Sequence, residues 1–289
     1  MFIILRRSAL ISVLLISLIL TLTFSIKDRA ISIASAKISG KDIPILMYHH
    51  ILPQKEQLGT YTVSPSEFED DIKHLISLGY TSISIKELLD YTENGTKLPE
   101  KSFIITVDDG YLSFFDYAFP ILKRYNCKAV LSIIGKLSED YSSKDLRNPI
   151  YTHVTFDDIK EILKSGLIEI GNHSYDMHNL SKRHGIKKKD SETKEQYESI
   201  LKEDILTTQN ILTENCEYTP YIYTYPFGFY TKESGEIIKS LGFKASFICE
   251  ERVNRISEGS TLFNLYRFNR PHGIDFKNFW NKIEHKMRK

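Results

Sequence analysis

From Ile43 to the C-terminus, short apolar runs alternate with amphipathic stretches, and no repeat or Pro/Gly-rich linker divides them. Runs at 43–48, 80–84, 103–107, 129–134, 167–170, 221–225 and 245–248, with a weaker one near Tyr266, have the length and the β-branched or aromatic content of strands. Between them the apolar period becomes helical. Over 66–78, Phe68, Ile72, Leu75 and Ile76 share one stripe that ends at Gly79. Over 156–164, Phe156, Ile159 and Leu163 follow the cap candidate Thr155, and Gly166 closes the segment. Strands separated by helices pair in parallel, so seven or eight such units over about 250 residues predict an α/β fold, a distorted (β/α)7-8 barrel. Such a closed parallel barrel carries its active loops at the C-terminal ends of the strands.

The N-terminus carries an address. Arg6 and Arg7 precede an uncharged, Leu- and Ile-rich run over 8–26, which Lys27, Asp28 and Arg29 close. At about 1.5 Å per residue the run matches the roughly 30 Å hydrocarbon core of a bilayer. Arginines on its N-terminal side predict a cytoplasmic start and an exported remainder. Ala34, Ser35 and Ala36 also form a small-residue processing site, so residues 1–36 read either as a signal peptide or as a retained membrane anchor. The expected location is the extracellular face of the cell membrane, or secretion.

Charge excludes one class of partner. The chain holds 38 Lys+Arg against 37 Asp+Glu, and removing residues 1–36 takes Arg6, Arg7, Lys27, Arg29 and Asp28, leaving 34 against 36. No nucleic-acid partner is expected. Cys127, Cys216 and Cys249 are too few and too scattered for a disulfide scaffold or a Cys-based metal site; Cys127 and Cys249 read as small buried hydrophobes. The charged stretch 181–199 lacks apolar period and reads as a solvated loop running into a helix over 195–212, with a basic rim at Lys187, Lys188 and Lys189 as the alternative.

Four strand ends carry chemistry. The run Phe103-Ile-Ile-Thr-Val-Asp-Asp-Gly110 delivers two adjacent carboxylates to an apolar barrel mouth, where they repel unless a cation neutralises them. Neighbouring strand side chains point in opposite directions, so one carboxylate can ligate while the other remains a base. Gly171-Asn-His-Ser-Tyr-Asp-Met-His178 places two imidazoles five residues apart, a spacing for a loop rather than one helix face. Two His and an Asp suit zinc or a similar first-row ion with open positions. Ile45-Leu-Met-Tyr-His-His50 ends in imidazoles able to protonate a leaving amine. Tyr221-Ile-Tyr-Thr-Tyr-Pro-Phe-Gly-Phe-Tyr230 supplies a turn that can aim a backbone N–H at an oxyanion.

Together these segments resemble the polysaccharide deacetylases, carbohydrate esterase family four, with its NodB-homology domain, over about 43–280. Thr106-Val107-Asp108-Asp109-Gly110 resembles the family's first motif. The resemblance implies Asp108 as general base and Asp109, His173 and His178 as ligands of one divalent metal ion, zinc foremost, with cobalt, nickel or manganese as alternatives. Thr224-Tyr225-Pro226-Phe227-Gly228 looks like the third motif and implies the Phe227 N–H as oxyanion donor. His173-Ser-Tyr-Asp-Met-His178 is similar to the poly-N-acetylglucosamine deacetylases of biofilms, whose catalytic His lies on an N-terminal Tyr-His strand end. That implies His49 as general acid, ahead of His50, with His272 as the alternative. Thr224 replaces an Arg that usually pairs with the base, and Arg267 either compensates or forms a surface ion pair. Tyr111, Tyr175, Tyr225 and Phe229 are candidate sugar-stacking walls.

The resemblance implies a catalytic domain over 37–289. It would hydrolyse N-acetyl groups of an extracellular N-acetylhexosamine polysaccharide, of exopolysaccharide or cell-wall type, and release acetate. Two rival readings are a barrel glycosidase, which also uses two carboxylates, and a membrane-tethered glycan-binding barrel without turnover.

Overall fold

The computed structural model describes Thr23, residues 40–181 and residues 183–288. The main sheet with its helices belongs to the compact unit Asp42–Lys289. The expected membrane segment over 8–26 and the processing site over 34–36 lie outside the described residues, apart from Thr23. No described helix is long and apolar enough to cross a membrane.

Nine strands build the main sheet: β1 (Ile45–Tyr48), β2 (Thr81–Ser82), β3 (Ser102–Val107), β4 (Ala129–Ile133), β5 (Ile168–Asn172), β6 (Ile222–Thr224), β7 (Ala245–Phe247), β8 (Leu262–Leu265) and β9 (Phe268–Asn269). Their order is β8-β7-β6-β5-β4-β3-β1-β9, with β2 beside the start of β3, and every pairing is parallel. Register aligns the strand ends: Tyr48 lies opposite Val107, Val107 opposite Leu131, and Asn172 opposite both Ile133 and Tyr223. The segments leaving these strand ends therefore converge at one rim.

The expected closed barrel is instead an open, curled half-barrel. The edge strands β8 and β9 are separated by only Tyr266 and Arg267. Parallel strands need a crossover of a dozen or more residues to pair, so this link cannot close the sheet by hydrogen bonds. The chain itself passes from one edge to the other and carries Arg267 across the gap.

Strand β3 explains the depth of the core. Phe103, Ile105 and Val107 join one apolar cluster with Leu131, Ile170 and Trp280, whereas Ile104 joins a second with Ile45, Val130 and Phe247. Alternate residues face opposite layers, and both layers are apolar, which is why the run reads as continuously hydrophobic. Helix boundaries follow side-chain caps. Ser64 and Glu67 box the start of α1 (Pro65–Ser77), Thr155 and Asp158 that of α2 (Phe156–Lys164), and Thr193 and Gln196 that of α3 (Lys194–Cys216).

Candidate active site

Two left-handed residues in succession turn the chain at the end of β3: Asp109 with φ 71° and Gly110 with φ 73°. The turn separates the neighbouring carboxylates. Asp108 continues the sheet, its N–H donating to the Tyr48 carbonyl at 2.9 Å, and points at Arg267. Arg267 grips it as a fork, Nη1 to Oδ1 at 2.7 Å and Nη2 to Oδ2 at 2.8 Å, while Nη1 also reaches Thr106 Oγ1 and Nε donates to the Ile248 carbonyl. Both residues are buried, Arg267 completely. The surface ion pair considered for Arg267 is therefore replaced by an internal one, formed across the gap between β8 and β9. Burial alone would raise the Asp108 pKa, but the Arg267 charge and its hydrogen bonds outweigh it and hold the carboxyl below its ordinary value.

Asp109 faces the other way. Its Oδ1 lies 3.4 Å from Nε2 of His173 and 3.4 Å from Nε2 of His178. These ligand atoms all lie within 4.8 Å of one another, a carboxylate and imidazole set that fits a first-row divalent ion. Oδ1 is buried without a hydrogen-bond partner among the described residues, as a ligand atom awaiting a cation would be. His173 Nδ1 sits 2.8 Å from the Thr224 carbonyl. A carbonyl only accepts, so Nδ1 carries the proton of the neutral ring and Nε2 keeps its lone pair toward Asp109. Burial and neighbouring His173 push His178 down to about 4, leaving it neutral at pH 7. For His173 burial pulls downward, yet Asp109 and Asp108 prevail and raise it.

The histidine loop is held from below. Asn172 Oδ1 accepts the Ser174 N–H at 2.9 Å, and Asp204 on α3 accepts the N–H groups of Tyr175 and Asp176, both at 2.8 Å. Ser174, at φ 70°, and Phe227, at φ 58°, join Asp109 as non-glycine residues in the left-handed region, one at each of three strand ends. Such strain, about 1–3 kcal/mol each, persists where surrounding structure fixes a functional geometry.

A cavity of about 420 Å³ opens over the triad, with His49, His50, Tyr61, Tyr111 and Phe227 in its wall. His49 Nδ1 is buried and has no hydrogen-bond partner among the described residues; its ring meets Tyr61 edge-on at 4.8 Å. His50 is engaged, with Nδ1 3.0 Å from Ser113 Oγ and its ring stacked on Tyr111 at 3.5 Å. His272 lies outside the cavity wall, 2.8 Å from Glu67 and 40% exposed. Tyr225 departs from its expected place. It is fully buried against Tyr223 and Tyr230 and does not line the cavity, because it shares the strand face of Tyr223 and packs with it into one buried cluster; Phe227 lines the cavity instead. Tyr175 donates to Glu139, and Phe229 lies beneath Lys187 Nζ at 3.9 Å.

Two further expectations change. Cys249 is partly exposed and lines the cavity, since β7 ends just before it; all three cysteines are free. The loop before α3 is not simply solvated: Arg183 pairs with Glu192 in a largely buried contact, and Ile186 is buried. Gly185 packs so closely on the Pro226–Gly228 turn that an added Cβ would stand 3.1 Å from the Pro226 carbonyl oxygen. Asp204 and the Asp71–Arg270 pair, whose Asp71 also accepts from the Tyr48 hydroxyl at 2.9 Å, carry no local sequence signal. Only the fold brings them to the strand ends.

Residues 95–246 match the polysaccharide deacetylase family, more than half of the chain. The chain belongs to that family. Membership makes it a hydrolase acting on an acetylated polysaccharide. This polysaccharide deacetylase is 31% identical over 206 residues to the poly-beta-1,6-N-acetyl-D-glucosamine N-deacetylase of Staphylococcus aureus strain MRSA252, covering 71% of this chain and 67% of that one. The protein of the same name from Staphylococcus epidermidis is 25% identical over 227 residues, covering 78% and 74%. Among solved structures, IcaB from Ammonifex degensii superposes with a TM-score of 0.67 at 26% identity, over 81% of this chain and 94% of that one. The turn at Gly110 aims Asp109 at the two imidazoles. In Gly110→Ala the new Cβ would stand 2.9 Å from Ile133 Cγ2, and the left-handed backbone alone costs about 1–2 kcal/mol. A lowered melting temperature and reduced acetate release are expected together; an unchanged melt would show that the turn relaxes.

Proposed function

We propose that this chain is a metal-dependent N-deacetylase of an exported poly-β-1,6-N-acetylglucosamine-like polysaccharide. One observation carries the reading: Asp109, His173 and His178 converge on one point while adjacent Asp108 is held apart by Arg267. Asp109, His173 and His178 would hold the ion, zinc foremost, with cobalt, nickel or manganese as alternatives. A bound cation supplies Lewis-acid polarisation of the acetyl carbonyl.

Asp108 is the general base. The Arg267 fork keeps it ionised, and a carboxylate has about four lone-pair sites, so two bonds to Arg267 leave it able to take the proton of the attacking water. The Phe227 N–H would donate to the developing oxyanion, and losing such a donor typically costs about 10² to 10³ in rate. His49 protonates the departing amine, the unpartnered Nδ1 distinguishing it from His50, which is occupied by Ser113. In the resting site burial pushes His49 below its ordinary pKa against the pull of Asp108 and Asp109. Negative charge developing on the substrate would restore its hold on the proton. The products are acetate and a free amine. A glycosidase requires its two carboxyls on opposite sides of a scissile bond, whereas Asp108 and Asp109 are adjacent in the chain and Asp109 faces two imidazoles.

The polymer identity rests on the staphylococcal relatives, and export on the apolar run over 8–26, with residues 1–36 as signal peptide or membrane anchor and 37–289 as the catalytic domain. The test is acetate release from poly-β-1,6-N-acetylglucosamine. Chelation is expected to abolish it and added zinc or cobalt to restore it, whereas chelator-insensitive release would overturn the mechanism.

A further inference from the structure

Of the two imidazoles that face Asp109, His173 alone has a hydrogen bond that fixes its ring, from Nδ1 to the Thr224 carbonyl. Apart from its contact with Asp109, His178 makes no side-chain hydrogen bond to another residue among those described; its ring leans on Phe227 at 4.3 Å. A metal-ligating imidazole almost always donates its second N–H to a partner that orients it. Without one, the placement of His178 falls to its backbone.

That backbone is held at every polar group from Ser174 to Asp176. The Ser174 N–H donates to Asn172 Oδ1, and the Asp176 carbonyl accepts from Asn179 Nδ2, both local side chains. The carbonyls of Ser174 and Tyr175 accept the N–H groups of Gly135 and Lys136, at 3.0 and 3.1 Å. The remaining two groups, the N–H of Tyr175 and of Asp176, donate to Oδ1 and Oδ2 of Asp204, each at 2.8 Å. Asp204 is thus the one side chain from outside the loop that binds this backbone.

Its position in α3 gives it little else to do. Asp204 lies in the helix interior, where no free helix N–H needs a cap, and among the described residues both hydrogen bonds to its side chain come from the loop. One carboxylate oxygen on each of two successive N–H groups fixes both the position and the tilt of the peptide between them. Leu201 and Ile205 share its helix face, and they pack in one cluster with Met177, which is itself buried. Helix α3 therefore grips residues 175 and 176 by charge-assisted hydrogen bonds and residue 177 by apolar contact. His178 comes next.

Resting on the deacetylase reading above, we propose that Asp204 is a positioning residue of the metal site, which sets the place of His178 and through it the affinity for the cation. Five residues separate the two imidazoles, so neither one helix face nor one strand face fixes their spacing. Asp204 fixes it from a neighbouring helix.

The experiment measures zinc binding to full-length wild type, Asp204→Asn and Glu203→Gln by competition with a chromophoric chelator. Asparagine keeps the size of the side chain but turns an amide N–H toward one of the two loop donors. Asp204→Asn is expected to weaken zinc binding by about 10- to 100-fold, the usual effect of losing a group that orients a ligand, and still to fill at high zinc, unlike Asp109→Ala. Glu203→Gln removes the same charge from the adjacent, exposed position and should bind zinc as wild type does. Melting curves recorded without and with zinc give a second readout. Positioning predicts a smaller zinc-induced rise in Asp204→Asn than in wild type, whereas a role in folding alone lowers both curves equally. If the asparagine variant fails to fold, Asp204→Glu, which keeps the charge but displaces the oxygens by one methylene, carries the same expectation. Unchanged zinc affinity in the folded variant, or an equal loss in both melting curves, would overturn the role of Asp204 while leaving the deacetylase reading intact. A wild type that binds no zinc and releases acetate in the presence of chelator would overturn the metal-dependent reading as well.

Discussion

Asp109→Ala and His173→Ala are expected to lose bound cation and acetate release together, whereas Asp108→Asn keeps the cation and loses turnover. The distinction follows from the turn at Asp109 and Gly110, which sends one carboxylate to the two imidazoles and the other to Arg267. Removing a ligand leaves two donors where a first-row ion needs at least three from protein. Removing the base leaves the donor set intact and costs the general-base contribution, about 10² to 10⁴ in rate. Metal content by elemental analysis, read beside an acetate assay, separates the two outcomes. Full turnover by Asp108→Asn would remove Asp108 as base. Stoichiometric metal in Asp109→Ala would remove the triad.

Arg267→Met is the second large effect. The substitution leaves Asp108 buried with no opposing charge, and breaking a buried pair from one side costs about 3–5 kcal/mol. The sign with pH follows from the causes of the shift. In the native protein burial raises the Asp108 pKa but Arg267 overcomes it, so the folded value lies below the unfolded one. That stabilisation is present above the unfolded pKa and is lost as pH falls through the folded one. Without Arg267 the upward push of burial is opposed only by the nearby His173 and His49. The stability deficit should therefore be greatest near neutrality and shrink on acidification, and the acidic limb of the rate profile should move to higher pH. Urea denaturation at several pH values and a rate profile read both. Arg267→Lys keeps the charge without the fork and should fall between. A deficit independent of pH would show that Arg267 matters for packing alone.

The local motifs were legible because they are contiguous. Asp108 and Asp109 end a continuously apolar strand, His173 and His178 follow another, and the caps Thr155 and Gly166 bracket a helix whose observed span is Phe156–Lys164, as predicted. Each is fixed by period and turn chemistry within a dozen residues. The partners of those motifs were harder to place. Arg267 stands out beside Tyr266 but reads more readily as a surface ion pair, because its contact with Asp108 spans 159 positions. Tyr225 is hard to place for a related reason: whether the strand face it shares with Tyr223 meets the cavity or a buried cluster is decided by elements distant in the chain. Asp204 belongs to no motif, and its neighbours in space come from another segment.

By itself the sequence determined which side chains stand at the strand ends, since alternation of apolar strand and amphipathic helix commits the chain to a parallel sheet with one functional rim. Only the tertiary structure decided how those side chains divide their work. Charge pairing and tautomer depend on distances of a few ångströms between segments far apart in the chain. The Arg267 fork on Asp108 and the Thr224 carbonyl that orients His173 exist only once the half-barrel has curled.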